Sequence, residues 1–346
     1  MLIFVLSFIF DIFTGNMRRN DYSVTSLTFD QVSDCRMDTG RLLPWECLFM
    51  EPAWMQVWWN HFGAGMIPYI RAVWHKKNLI GIAPLMADGT TAFLLGHSDL
   101  CDYMDFIVAP QRGPEFFTVI IEYLQNQGFV LLNLKPVLGE SNVVKGLVEI
   151  APGLGCRVVC KPDDVTYAMA LPSSWEAFLK RLAGKQRHEI RRKLRRLDAA
   201  GRVEYRIIED VNTVRTEIDT FIALFRSNRS DKAAFMTSPM EAYFRSLAES
   251  MAAHHMLRLA FLELDGQPAA SVLCFDNGST VYLYNSGYDL SFSSLSVGLL
   301  SKVLSIKESI LRGRRKYDFL KGDEKYKQYL GGRPFPLLSY RIHLIP

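Results

Sequence analysis

Six cysteines in 346 residues, none in C-x-x-C spacing, are too sparse for a disulfide framework. A reducing compartment, the cytoplasm by default, is the expectation. Long apolar runs are missing too: Met1 to Phe10 is uncharged, but Asp11 cuts the run at about half the ~20 residues a spanning helix needs. No Lys or Arg precedes it and Thr14-Gly15-Asn16 follows it, which does not suit a secretory signal. Residues 1–20 are therefore expected to be an apolar N-terminal extension or tail, with Met17-Arg18-Arg19 as an alternative start and no membrane span. Also absent are G-x-x-x-x-G-K-[ST], G-x-G-x-x-G after a strand, H-E-x-x-H and G-x-S-x-G. Those absences speak against P-loop, dinucleotide, zinc-protease and serine-hydrolase chemistry. The histidines, at 61, 75, 97, 188, 254, 255 and 343, show no ligand spacing with Cys or carboxylates, so no metal is expected.

Excess charge is scarce as well, at +4 overall, but it is unevenly placed. Ten of the 40 Lys and Arg lie between Lys180 and Arg202, opposed there by Glu189 and Asp198 alone, so the segment carries +8 and the remainder −4. A slightly acidic chain with one basic stretch is not a polycation that coats DNA.

What is present is a pattern of strands and turns that occurs twice. IPYIRAVW, LIGIAPLM and TAFLL, separated by polar turns at residues 76–78 and 87–89, read as an antiparallel meander. A helix at Pro114 to Gln127, closed by Gly128, and the strand FVLLNL follow. Two hundred residues later come MLRLAFLEL, Asp265-Gly266, QPAASVLCF, Asn277-Gly278 and TVYLYNSG, then a helix over Leu295 to Arg312 and the strand KYDFL. Two strand-strand-strand-helix-strand blocks imply an internal duplication. Between them, VTYAMAL reads as a strand, and Ser173 or Ser174 caps a helix expected to run to Ala200. Phe178, Leu182, Ile190, Leu194 and Leu197 form its apolar stripe, with Arg187, Arg191 and Arg195 on another face.

The densest polar chemistry lies in the second block. Tyr282 to Asp289 ends a strand, Ser291 to Gly298 makes a small-residue loop opening a helix, and Asp318 to Lys327 crowds acids and lysines after the next strand. A loop at a helix N-terminus presents unpaired N–H groups and the positive end of a dipole, a natural seat for a pyrophosphate. The same loop also reads as an ordinary capped β-to-α connection.

YLYNSGYDLSFSSLSVG, the helix after it and YDFLKGDEKYK resemble acyltransferases of the GNAT superfamily of the CelD type, associated with cellulose biosynthesis and related to the FemAB aminoacyl transferases. LIGIAPLM, GHSDLCDYMDFIV and KQRHEIRRKLRRL fit the same resemblance, which runs from about Trp45 to Tyr340. It implies an α+β mixed-sheet architecture of tandem GNAT-like folds: a domain over 21–162 with a degenerate donor site, and one over 163–346 carrying the acyl donor. Val297-Gly298 replaces the family's usual Pro-Gly pair; Gly298 keeps the close backbone approach.

The implied reaction moves an acyl group, acetyl by the superfamily's habit, from acyl-CoA to an amine, and it needs a base, an oxyanion donor and an acid for the leaving thiolate. Asp318, Asp323 and Glu324 are the candidate bases or amine-positioning acids. Tyr288 or Tyr284 is the candidate acid. Asn285, Ser286, Ser294, Ser296, Val297 and Gly298 are the expected donor-binding residues, and Arg187, Arg191 and Lys327 the expected contacts to an anionic substrate. The acceptor would be a small molecule or a sugar, polysaccharide or cell-envelope precursor. A FemAB-like donor, aminoacyl-tRNA, and a non-catalytic binding module are the alternatives.

Overall fold

The computed structural model describes residues 21–38, 43–228 and 230–344, so the extension expected at residues 1–20 lies outside the described residues. In chain order the first half comprises β1 (Tyr22–Ser26), α1 (Phe29–Asp38), α2 (Pro52–Phe62), β2 (Ile67–His75), β3 (Asn78–Asp88), β4 (Thr91–Leu94), β5 (Ile107–Val108), α3 (Gly113–Asn126) and β6 (Leu131–Leu138). There follow β7 (Arg157–Ala170), α4 (Trp175–Arg181), α5 (Gly184–Asp198), β8 (Val203–Ile208), α6 (Val211–Asn228), α7 (Ser230–Phe235) and α8 (Ser238–Ala253). The chain closes with β9 (Leu257–Leu264), β10 (Gln267–Asp276), β11 (Thr280–Tyr288), α9 (Val297–Leu311), β12 (Lys316–Lys321), α10 (Lys325–Tyr329) and β13 (Arg333–His343).

The meanders form because their turns accept left-handed backbone. Asp265 and Gly266 both have positive φ, at 53° and 78°, the requirement of a two-residue hairpin turn whose twist matches its strands. All strands join one mixed sheet ordered β1-β2-β3-β4-β6-β13-β7-β12-β11-β10-β9-β8, with β5 added to β3. Its parallel neighbours are β4 with β6 and β11 with β12, and each pair is bridged by a crossover helix, α3 or α9. The duplicated pattern is thus a duplicated topology within a mixed α+β fold.

The halves meet by exchanging strands. β7 pairs with β12 over Thr166 to Ala170, while β13 pairs with β6 and also runs along β7. The division between residues 162 and 163 falls inside β7. The strand expected at VTYAMAL is accordingly longer, beginning at Arg157, because β13 supplies a partner for its polar first half.

The single helix expected up to Ala200 is two. Ser174 caps α4 by accepting from the Ala177 N–H, but Leu182 and Ala183 adopt extended backbone, and a new helix starts at Gly184. The kink lets Phe178 and Leu179 on one side, and Ile190 and Leu197 on the other, enter the same core. That core lies between α4, α5, α9 and one face of the second half of the sheet. The opposite face packs on α6 and α8, in a cluster that continues through the first half. Trp54 of α2 is its keystone, edge-on to Phe275 at 5.2 Å and to Tyr284 at 5.1 Å. Emptying a site of that kind costs about 3–5 kcal/mol, so the halves behave as one packed body.

Candidate active site

β11 and β12 run side by side only from Thr280 opposite Lys316 to Tyr282 opposite Asp318. Beyond that point each strand carries a bulge: β11 passes over Tyr284 in its ladder with β10, and β12 passes over Phe319 in its ladder with β7. Leu320 accommodates its bulge with a φ of 62°. Bulges bend strands and end pairing, so the two part as a wedge. A cavity of about 750 Å³ occupies it, between β11, the start of α9 and the β12–α10 turn.

Glycine lets the backbone come close on both walls. A Cβ on Gly298 would stand 2.6 Å from the Tyr288 ring, and one on Gly287 would stand 2.4 Å from the α6 backbone at Leu224 and Phe225. Ser296, in left-handed conformation at φ 61°, turns the 3-10 segment Leu290–Leu295 into α9. Val297, Gly298 and Leu299 at the opening of that helix line the cavity.

The expected residues divide. Tyr288, Asn285, Ser286, Ser296, Val297, Gly298, Glu324 and Lys327 line the wedge. Ser294 does not; its carbonyl accepts from Arg196 of α5. Asp318 is only 1% exposed and points away, accepting from the Tyr103 hydroxyl at 2.9 Å and the Leu320 N–H at 2.9 Å, with Lys316 at 3.1 Å. Alternation along β12 puts its neighbours Tyr317 and Phe319 in the other core. Asp323 faces outward, where the Tyr167 hydroxyl donates to it. Arg187 and Arg191 lie on α5 away from the cavity; Lys193 and Arg196 are the residues of that helix that reach the donor loop, Lys193 through the Ser296 hydroxyl at 2.5 Å. Tyr284 is half-buried and also lines the wedge, but its hydroxyl is engaged, donating to the Leu100 carbonyl. The Lys327 ammonium, 2% exposed, donates to the carbonyls of Leu320, Lys321 and Gly322 at 2.6–3.0 Å and pairs with Glu324 at 2.8 Å. Its three hydrogens are thereby engaged, and it holds the turn that carries Glu324.

The periodic reading missed several wedge residues. Asp99 and Asp102 enter from the first half, on the stretch between β4 and β5. Asp102 accepts from the Lys321 N–H at 2.8 Å; burial raises its carboxyl above the usual range, with Lys321 pulling the other way. The Lys321 ammonium is held by the Ser98 carbonyl and Lys232 by the Ser286 carbonyl. Tyr326 of α10 is raised by burial, then by Glu324. Lys302 lies on α9 with 7% exposure, lowered to about 7 by burial and then by Lys232. A single cation inside the apolar run VGLLSKVLSI was the available signal for it.

Among the described residues no group of three His, Cys, Asp or Glu could hold a metal ion, and no helix is long and apolar enough to cross a membrane.

Residues 184–328 match the family model of the acetyltransferase (GNAT) domain. The matched stretch contains both strands of the wedge, α9 and all but the end of α10. The whole chain is similar in structure to FemX, with a TM-score of 0.65 and 10% identity over 92% of this chain and 96% of that one. It is also similar to a conserved protein of unknown function from Bacteroides thetaiotaomicron, with a TM-score of 0.58 and 11% identity over 92% and 99%. No curated protein matches it. Residues 184–328 are therefore of the acetyltransferase (GNAT) domain type, and the chain shares its fold with FemX.

Proposed function

We propose that this protein transfers an acyl group from acyl-CoA to a primary amine in the wedge between β11 and β12. The observation that carries this reading is the open wedge beside the α9 N-terminus, where Gly298 lets the Tyr288 ring pack against the opening of the helix. An extended thioester arm would lie along β11, with its diphosphate against the Ser296 to Gly298 backbone and the dipole of α9. N–H groups near Asn285 and Ser286 would face the oxyanion. Of the three acids read from the sequence, Glu324 lines the cavity and is 54% exposed, so it is the one suited to draw in an ammonium. Tyr288 borders the donor loop as the candidate acid. Asp318 and Asp323 would then be structural. The acceptor class that suits the CelD-like resemblance is an amino sugar, polysaccharide or envelope precursor.

A second reading takes aminoacyl-tRNA as the donor, favoured by the basic face of α5 beside the donor loop. Isothermal titration with acetyl-CoA and longer acyl-CoAs separates the two. Binding of a CoA ester supports the first reading. No CoA binding, together with tRNA affinity falling steeply with salt, supports the second.

A further inference from the structure

Four lysines line the wedge, and each donates to backbone carbonyls: Lys327 to three, Lys321 to that of Ser98, Lys232 to that of Ser286 and Lys302 to that of Gly298. What sets Lys302 apart from Lys321 and Lys232 is burial, with 7% exposure where they are half-buried. Lys302 projects from α9 one turn after Gly298, donates one hydrogen to the Gly298 carbonyl at 2.8 Å, and places its nitrogen 5.0 Å from the centre of the Tyr326 ring. Among the described residues it forms no ion pair. A buried lysine normally extends its amine to water past an apolar stem; this one ends at the wall of the cavity. We propose that Lys302 is the proton carrier of the acyl transfer, taking a proton from the acceptor nitrogen and giving it to the leaving sulfur. This rests on the acyl-CoA reading above, and it gives Lys302, in place of Tyr288, the part of the acid.

The charged and titratable groups around it set its state. Burial is the largest influence; Lys232 from α7 and Lys327 from α10 also favour the free amine. Cys274 from β10 and Glu324 beside α10 oppose them, and Tyr326 presents its ring. With a pKa of about 7, the amine is substantially deprotonated at neutral pH, whereas an ordinary lysine near 10.4 would be almost fully charged. A carrier poised near the working pH can both accept and release a proton. In the step itself, the neutral acceptor amine attacks the thioester carbon and the N–C bond forms. The nitrogen's surplus proton passes to the Lys302 amine. The C–S bond breaks, its electron pair leaves on sulfur, and the Lys302 ammonium protonates that thiolate. Amide and free thiol are the products, and Lys302 returns to the amine.

The test uses the full-length protein, with acetyl-CoA as donor and glucosamine as the amine probe. Trace labelling with acetic anhydride, read by mass spectrometry against pH, should give a Lys302 midpoint near 7 and protection by acetyl-CoA. Lys302→Met should bind acetyl-CoA within about threefold of wild type but release thiol about 10²-fold more slowly, and without the wild-type rise in rate through pH 7. Lys302→Arg, which keeps a charge but cannot shed its proton, should be equally slow. A labelling midpoint near 10, or wild-type thiol release by either variant, would overturn the proposal while leaving the acyl-CoA reading intact. If wild-type protein binds no acyl-CoA, that reading falls and the carrier role falls with it.

Discussion

The molecule contains two wedges of the same topology, and they differ threefold in size, with cavities of about 750 and 250 Å³. In the first half, β4 pairs in parallel with β6 for three residues, as β11 does with β12. But β4 ends at Leu94, and the chain makes an excursion from residue 95 to 106 before β5 returns to the edge of β3. The end of that excursion narrows its own wedge: the Met104 N–H donates to the Pro136 carbonyl of β6, and Asp105 accepts from the N–H groups of Asn142 and Val143, leaving a cavity of about 250 Å³. Its middle serves the other wedge, through Leu100 on Tyr284, Asp102 on Lys321 and Tyr103 on Asp318. A duplicated fold has thus been divided into a half with the larger cavity and a half that supplies part of its wall.

Changes made at paired positions sharpen this contrast. Glu324→Gln should lower turnover by about 10²-fold if Glu324 positions the amine. Asp105→Asn in the narrow wedge should leave turnover within twofold while lowering the melting temperature; equal losses from both would end the distinction. Gly298→Ala, which presses on Tyr288, should weaken acetyl-CoA binding at least about tenfold by calorimetry. At the matching start of α3, Gly113→Ala meets nothing within 4 Å and should leave that affinity unchanged. Asp102→Ala strands the Lys321 N–H and should cost about 1–3 kcal/mol in denaturant unfolding. The last effect concerns pH. The folded-state pKa of Lys302, about 7, lies below its unfolded value, so the unfolded chain holds the extra proton between about 7 and 10.4 and stability rises with pH across that window. Lys302→Met should therefore raise the melting temperature most below pH 7, and its advantage should shrink toward pH 10.

The sequence made the repeating parts readable and left the crossing parts hidden. Both meanders announce themselves through alternation and turn residues such as Asp265-Gly266, whose effects are local. The donor loop from Ser291 to Gly298 was legible for the same reason. The excursion at residues 95–106 was not, because what orders it lies some two hundred residues away, at Tyr284, Asp318 and Lys321. Period-3.6 reasoning found the apolar stripe of the basic helix, yet it could not tell which arginines face the loop, nor that Leu182 and Ala183 break the helix to fill a shared core. Glu324 and Asp318 looked equivalent in the string; strand alternation sends one carboxylate inward, while the turn after β12 leaves the other open.

The strand exchange bears on how the chain can be made. β13 covers the edge of β6, but it is translated some two hundred residues later. During synthesis the first half must therefore wait with an uncovered β6 edge, a pairing template for other nascent chains. Deleting Arg333–His343 should consequently cause aggregation of the whole polypeptide, even though the wedge residues themselves remain.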